Sequence, residues 1–301
     1  MQTKNQFKKI SLQGISLLLY LNALNLFAVF LALYLSSFFI FSTTDNIYEN
    51  FRDLKLHGII FSALLSIASG FIINHFYDEE KDFVNKPIRS YLSSFISKQT
   101  YLILYLMMNI LSIGIAFILS FRIGVFFIIY QFLLWLYSHK LSKIVVIKNF
   151  TRVFLVLFPF IALIFYFHKL NLKIILFASL LSLLLLIKDV LKDIRFHATD
   201  AIFNYSSIPN VFGIKIARYI LLFLFIFSLF ISFYLSNYKQ IGDMIWYFRI
   251  SNIIFVIGLI LTILNKKIYF IILEWIFKIW IFLGILSIVL IDWKILAFNL
   301  I

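Results

Sequence analysis

Long runs of Leu, Ile and Phe, interrupted by short polar stretches, fill the chain from about residue 16 to about residue 291. Roughly 20 apolar residues cross a bilayer as an α-helix. The runs divide on that measure into spans at about 16–40, 56–75, 100–119, 121–139, 149–167, 172–189, 214–236, 245–265 and 268–291. Most of them carry no polar stripe at helical spacing, as expected where lipid or other helices cover every face. The breaks at Ser120–Gly124 and Asn265–Lys267 are tight and read as hairpins. Before the first span, Lys4, Lys8 and Lys9 alternate with Phe7, Ile10, Leu12 and Ile15, the pattern of an amphipathic lead-in at a membrane surface. The expected fold is an all-α membrane protein of nine transmembrane helices, with residues 1–301 forming one polytopic domain.

Composition agrees: 63% of the residues are hydrophobic, 13% are charged and mean hydropathy is +1.02, against roughly half and a quarter for soluble domains. With no cysteine, disulfides, thiolate metal sites and a Cys nucleophile are excluded. The first apolar run is too long for a signal-peptide core and lacks a small-residue cleavage site, so it is read as retained. A net charge of +14 would suggest nucleic acid in a soluble chain, but here it follows topology and no nucleic-acid partner is expected. With nine spans, the N-terminus and alternate loops hold eighteen of the Lys and Arg residues and the opposite side eight, with Lys278 inside a span. The positive-inside rule then puts the N-terminus in the cytoplasm. The five histidines show no ligand spacing, Trp246 and Trp293 sit near span ends as interface anchors, and Glu274 with Lys278 reads as an i,i+4 pair that neutralises itself.

Against this background two acidic windows stand out. Asn74-His75-Phe76-Tyr77-Asp78-Glu79-Glu80-Lys81-Asp82 follows the second span, and Asp189, Asp193 and Asp200 follow the sixth. Together they hold seven of the 13 acids, and the charge count puts both windows on the cytoplasmic side. Asp78 and Asp82 are one helical turn apart with Asn74 a turn earlier, and Asp189 and Asp193 repeat the spacing. Like charges at that spacing repel, and desolvation near a bilayer adds to the cost. A bound cation relieves both, and oxygen-only ligands suit Mg²⁺, which keeps waters and substrate phosphates in its remaining positions. Lys81, Lys86, Arg89, Lys188, Lys192 and Arg195, interleaved with the acids, could neutralise phosphate oxygens. The 20% aromatic content could stabilise an allylic cation or serve as lipid-facing bulk.

These residues resemble the UbiA superfamily of intramembrane prenyltransferases. Asn74, Asp78 and Asp82 are similar to that family's Asn-x-x-x-Asp-x-x-x-Asp signature, and Asn85-Lys86-Pro87-Ile88-Arg89 to its Asn-Lys-Pro-x-Arg. Lys188 to Asp193 through Asp200, then Ser207 to Gly213, looks like the second acidic motif and its tail. Tyr137-Ser138 with Lys143 and Asn149 is similar to a loop carrying Tyr and Lys. The resemblance covers nearly the whole chain and runs nearest to the geranylgeranylglycerol-phosphate transferases and chlorophyll-synthase-like members. It implies nine helices around a central cavity, with the acids at its cytoplasmic mouth. The implied activity is transfer of a polyprenyl group from its diphosphate to a lipid or aromatic acceptor. Implied catalytic residues are Asp78, Asp82, Asp193 and Asp200. Metal ligands would be Asn74, Asp78 and Asp82 for one Mg²⁺ and Asp189, Asp193 and Asp200 for the other. Substrate contacts fall to Asn74, Lys86, Arg89, Tyr137, Lys143, Lys188 and Lys192.

Departures from the family pattern accompany the match. Ser11-Leu12-Gln13-Gly14 stands where the family has Arg-Pro-x-Asn, Phe196 takes a frequent Asp position, and Thr199 that of a Gly. Ala201 and Ile202 replace basic residues. Two other classes stay open at this point: a non-catalytic protein that binds an isoprenoid or lipid, suggested by these losses, and a transporter. The transporter lacks its usual mark, midplane charges on broken helices, since the acids lie at span ends.

Overall fold

A computed structural model describes residues 13–42, 47–85, 87–93, 95–203 and 206–292. Among these residues there is no strand, and nine helices are long and apolar enough to cross a membrane. We label them α1 (Ala23–Ser36, continued to Phe41 by a π-turn), α2 (Leu54–Tyr77), α3 (Lys98–Leu119), α4 (Phe121–His139), α5 (Ile147–Phe167), α6 (Leu172–Ile202), α7 (Ile208–Ser236), α8 (Ile245–Leu264) and α9 (Lys267–Ser287). The amphipathic lead-in, up to residue 12, and Trp293 lie outside the described residues.

Three expectations change. The run at 16–40 is two helices, 13–20 and then α1, because Asn22 turns the chain with φ 52°, a left-handed conformation Asn tolerates. The sixth span does not stop at 189 but continues as helix to Ile202, 31 residues in all. No Gly or Pro interrupts it before Pro209, and its acids meet cations on a neighbouring helix. The seventh helix begins at Ile208 rather than 214, with its bend at Gly213 (φ 85°). Both tight hairpins are as read: Ser120 ends α3 and caps α4 by accepting from the Ile123 amide at 3.2 Å, and Asn265 ends α8 at φ 54°.

Packing gathers the chain into two compact units. Unit 1 comprises Met1–Phe30 and His57–Ser142. Its α2 carries Ser62, Ser66 and Ser69 on one face, and small residues of this kind let membrane helices approach. Ser66 Oγ lies 2.9 Å from Ser112 Oγ of α3, Ser69 Oγ donates to Asn109 Oδ1 at 2.9 Å, and Gln131 of α4 donates to Ser66 Oγ at 3.2 Å. Hydrogen bonds among Ser66, Ser69, Asn109, Ser112 and Gln131 thus join three apolar helices.

Unit 2 comprises Leu31–Leu56 and Lys143–Ile301. Here α6 packs against α5, α7 and α9, with Leu184, Ile187, Val190 and Leu191 buried. Lys169, in the turn between α5 and α6, donates to the Ser42 carbonyl at 2.7 Å and so closes the end of α1. Desolvation lowers the pKa of that lysine.

Candidate active site

In unit 1, α2 ends at Tyr77, Asp78 forms a turn, and a short helix follows at Glu79–Asn85. Helical register survives the turn: the Asp78 amide donates to the Asn74 carbonyl at 3.0 Å and the Asp82 amide to the Asp78 carbonyl at 2.8 Å. Asn74, Asp78 and Asp82 therefore lie in line along the helical path, as their spacing predicts. Asn74 Nδ2 donates to Asp78 Oδ2 at 3.0 Å.

Asp82 is held by a histidine whose lack of ligand spacing marks it, in sequence, as merely structural. His75 Nδ1 lies 3.0 Å from Asp82 Oδ2, and donation to a carboxylate assigns the proton to that nitrogen. The imidazole is buried and meets the Tyr20 ring edge-on at 4.3 Å. Tyr20 stacks on Tyr101, whose hydroxyl shares a 3.0 Å hydrogen bond with Ser16. The seven-residue interval between His75 and Asp82, two helical turns, is the signal that could have found the pair.

Glu79 and Glu80 are exposed, and Glu79 pairs with Lys98. Lys86 and the side chain of Arg89 lie outside the described residues. Tyr137 is half-buried near the end of α4, and Lys143 is exposed at the end of the turn Leu141–Lys143, in unit 2.

In unit 2, Asp189, Asp193 and Asp200 share a buried stripe on α6. Lys148 Nζ donates to Asp193 Oδ1 at 3.0 Å, Asn149 Nδ2 to Asp193 Oδ2 at 3.4 Å, and Arg152 Nη1 lies 3.2 Å from Asp189 Oδ1. Two cations one turn apart on α5 thus meet two acids one turn apart on α6 in reversed order, as antiparallel neighbours require. The matched spacing is legible in the sequence, although a count of loop charge leaves Lys148 and Arg152 with no other role.

One residue earlier on α6, a second stripe carries Lys188, Lys192 and Arg195. A single helical step rotates it by about 100° from the acids. Arg195 Nη1 donates to Glu274 Oε2 of α9 at 3.0 Å, and Lys278 Nζ lies 2.6 Å from Glu274 Oε1. Glu274 therefore takes two cations on its two oxygens rather than forming the self-neutralising pair expected with Lys278. The Arg195 guanidinium also covers the Phe196 ring at 4.9 Å, an aromatic partner at the position where the family pattern has an acid.

An apolar cavity of about 280 Å³ opens in unit 2 between α1, α5, α6, α8 and α9. Phe160, Phe177, Tyr247, Phe248, Ile281 and Gly284 are among its lining residues. Tyr247 stacks on Trp280 at 4.8 Å, and Trp280 Nε1 donates to Ser251 Oγ at 2.9 Å, which fixes that wall.

The donors in both windows are carboxylate and amide oxygens, and the buried Oδ1 of Asp189 accepts no hydrogen bond despite its ion pair. Among the described residues no group of three His, Cys, Asp or Glu gathers as a self-sufficient metal site. Magnesium does not require one, since it is commonly bound through one or two carboxylates plus waters and substrate phosphates. The donor set fits Mg²⁺.

Known proteins share these features. The pattern of the UbiA prenyltransferase family matches residues 25–268. A digeranylgeranylglyceryl phosphate synthase of Saccharolobus solfataricus is 29% identical over 224 residues, 71% of this chain and 77% of the relative. One from Methanosphaera stadtmanae is 27% identical over 202 residues, 66% of this chain and 70% of the relative. Among solved structures, one described for digeranylgeranylglyceryl phosphate synthase has a TM-score of 0.67 at 21% identity, covering 94% of this chain and 99% of that one. A UbiA homologue of Archaeoglobus fulgidus, bound to DMAPP and Mg²⁺, has a TM-score of 0.60 at 17% identity, covering 90% and 99%.

Proposed function

The chain belongs to the UbiA prenyltransferase family, and from that membership we propose that it moves a polyprenyl group from its diphosphate to a phosphoglycerol-bearing lipid acceptor. The observation that carries the reading is the pair of acid arrays, Asn74-Asp78-Asp82 continuing α2 and Asp189-Asp193-Asp200 along α6. The names of the two curated relatives supply the acceptor class.

Asn74, Asp78 and Asp82 would hold one Mg²⁺, and Asp189, Asp193 and Asp200 the other. Bound there, the ions would neutralise charge developing on the diphosphate. In the transfer the C1–O bond to diphosphate breaks and the leaving group keeps the electron pair. An acceptor oxygen then bonds to C1 and loses its proton. The chain's own part is to keep His75 on Asp82 and the α5 cations on Asp189 and Asp193, so that each array holds its carboxylates in place. Lys86, Arg89, Lys143 and Lys192 would neutralise phosphate oxygens, and Tyr137 would line the substrate path. The apolar cavity of unit 2 would keep the acceptor's hydrocarbon chain away from water.

The test is purified protein with labelled geranylgeranyl diphosphate and an acceptor panel: a phosphorylated glycerolipid, its dephosphorylated counterpart and an aromatic acid. Prenylated product is expected with the phosphorylated lipid and is lost on adding EDTA. If no acceptor yields product or diphosphate, the proposal fails.

The charge asymmetry places the N-terminus and both acid windows in the cytoplasm under this reading. The chain has no cysteine, so Glu80→Cys, at an exposed position, supplies a unique label site. An impermeant maleimide should label it in inside-out vesicles and not in intact cells, and the opposite pattern would reverse the topology.

A further inference from the structure

The face of α6 that lines the cavity of unit 2 leads, by helical register, to the basic stripe. On α6 the lining residues Phe177, Leu181 and Leu184 recur at steps of four and three, and the next position in that series is Lys188. On α9 the lining residues Ile281 and Ile285 extend backwards in the same way to Lys278 and Glu274. The apolar faces of both helices therefore pass, one turn on, into a cluster of charge.

That cluster is not balanced. Arg195 and Lys278 both spend their charge on Glu274. Lys188 stands within electrostatic reach of Glu274, Asp189, Arg152 and Lys278. It makes no hydrogen bond or ion pair among the described residues, and Asp189 is already paired with Arg152. Where α6 faces α9, the three cations Lys188, Arg195 and Lys278 meet one carboxylate, Glu274, which is only 2% exposed, a formal excess of two positive charges. Unpaired charge within a membrane span is costly and marks a ligand or a partner.

We propose that Lys188, Lys278 and Arg195, with Glu274 as their anchor, form a metal-independent phosphate site at the mouth of this cavity, which takes the phosphate monoester of the lipid acceptor while its hydrocarbon chain enters the cavity. A dianionic headgroup matches the two surplus charges, and an alkyl chain matches the wall. The stripe differs in kind from the acid arrays. There, carboxylates would need a metal ion to approach phosphate, whereas here ammonium and guanidinium groups can donate to it directly. Naming the ligand as the acceptor rests on the prenyl-transfer reading above; the existence of the site does not.

The experiment uses the full-length protein in detergent with an unreactive probe, hexadecyl phosphate, and hexadecanol as its uncharged counterpart. Binding is followed by tryptophan fluorescence, since Trp275 lies under Lys278 at 4.5 Å and Trp280 backs Tyr247. Hexadecyl phosphate should bind at least about tenfold more tightly than hexadecanol. Lys188→Gln and Lys278→Gln should each remove most of that preference, while Lys188→Arg keeps it. Saturating geranylgeranyl diphosphate with Mg²⁺ should not displace the probe competitively. Equal binding of the two probes, or an unchanged preference in both Gln variants that retain wild-type melting, overturns the site. Competitive displacement by the donor overturns its assignment to the acceptor. Because no turnover is measured, loss of probe binding is distinct from failure of the transfer reaction. Should Lys188→Gln fail to fold, Lys278→Gln, in which Arg195 still holds Glu274, decides the matter.

Discussion

Asp78→Asn is expected to lower the rate of prenyl transfer by about a thousandfold or more while the protein melts at nearly the wild-type temperature. The substitution keeps size and shape and removes one negative charge from an array whose purpose, on this reading, is to hold a divalent cation. Metal stabilisation of transition-state charge is worth several kcal/mol, and each 1.36 kcal/mol is tenfold in rate, which sets the scale. Folding should survive because Asp78 is only half-buried and its backbone remains tied to Asn74 and Asp82. Glu79→Gln is the contrast. That side chain is exposed and paired with Lys98 across a solvent-facing contact, so the rate should stay within about twofold, consistent with the small worth of surface pairs. Single-turnover kinetics on the three proteins would decide it. Wild-type rate in Asp78→Asn, or an equal loss in Glu79→Gln, would remove Asp78 from the site.

Gly242→Ala should be the most damaging small change in unit 2, at a cost of about 3–5 kcal/mol from backbone strain plus overlap. Gly242 has φ 58° and ψ −146°, a region that essentially only glycine occupies. A Cβ there would stand 2.2 Å from the Ile291 carbonyl oxygen and 2.9 Å from that of Leu290. Both are backbone atoms of the turn after α9, so neither can swing aside. The segment leads directly into Met244, Tyr247 and Phe248 of the cavity wall, so the loss should extend from stability to ligand binding. Gly114→Ala serves as the control: nothing lies within 4 Å of its Cβ position in α3. There the gain in helix propensity is about 0.5–1 kcal/mol. A thermal melt in detergent would refute the argument if Gly242→Ala matched wild type.

Asn74, Asp78 and Asp82 are legible as one array because they depend on local periodicity, and local periodicity survives the turn at Asp78. Asp200 shares the stripe of Asp193 only on condition that helix persists, and α6 meets that condition. Lys148 and Arg152 escape a linear reading for a different reason. The positive-inside bias explains each of them well enough, so nothing in a count of charges separates loop cations from partners of Asp189 and Asp193. Glu274 shows the same limit. Its i,i+4 neighbour Lys278 is visible in sequence, whereas Arg195, 79 residues away, is not. His75 is passed over when histidine ligands are sought among other histidines, since its partner is an acid two turns on.

By itself the sequence determined the properties set by composition and short-range order: a membrane solvent, nine apolar helices, two acid arrays at helical spacing, and a family. Those properties depend on the residue and its neighbours within two turns, which a linear chain records directly. Only the tertiary structure decided which charges are balanced and which are surplus. Charge balance depends on helices brought side by side from distant parts of the chain: α5 against the acid face of α6, α9 against its basic face. That rotation of about 100° between adjacent residues of α6 separates the acids that would hold a metal from the basic stripe that meets Glu274 of α9.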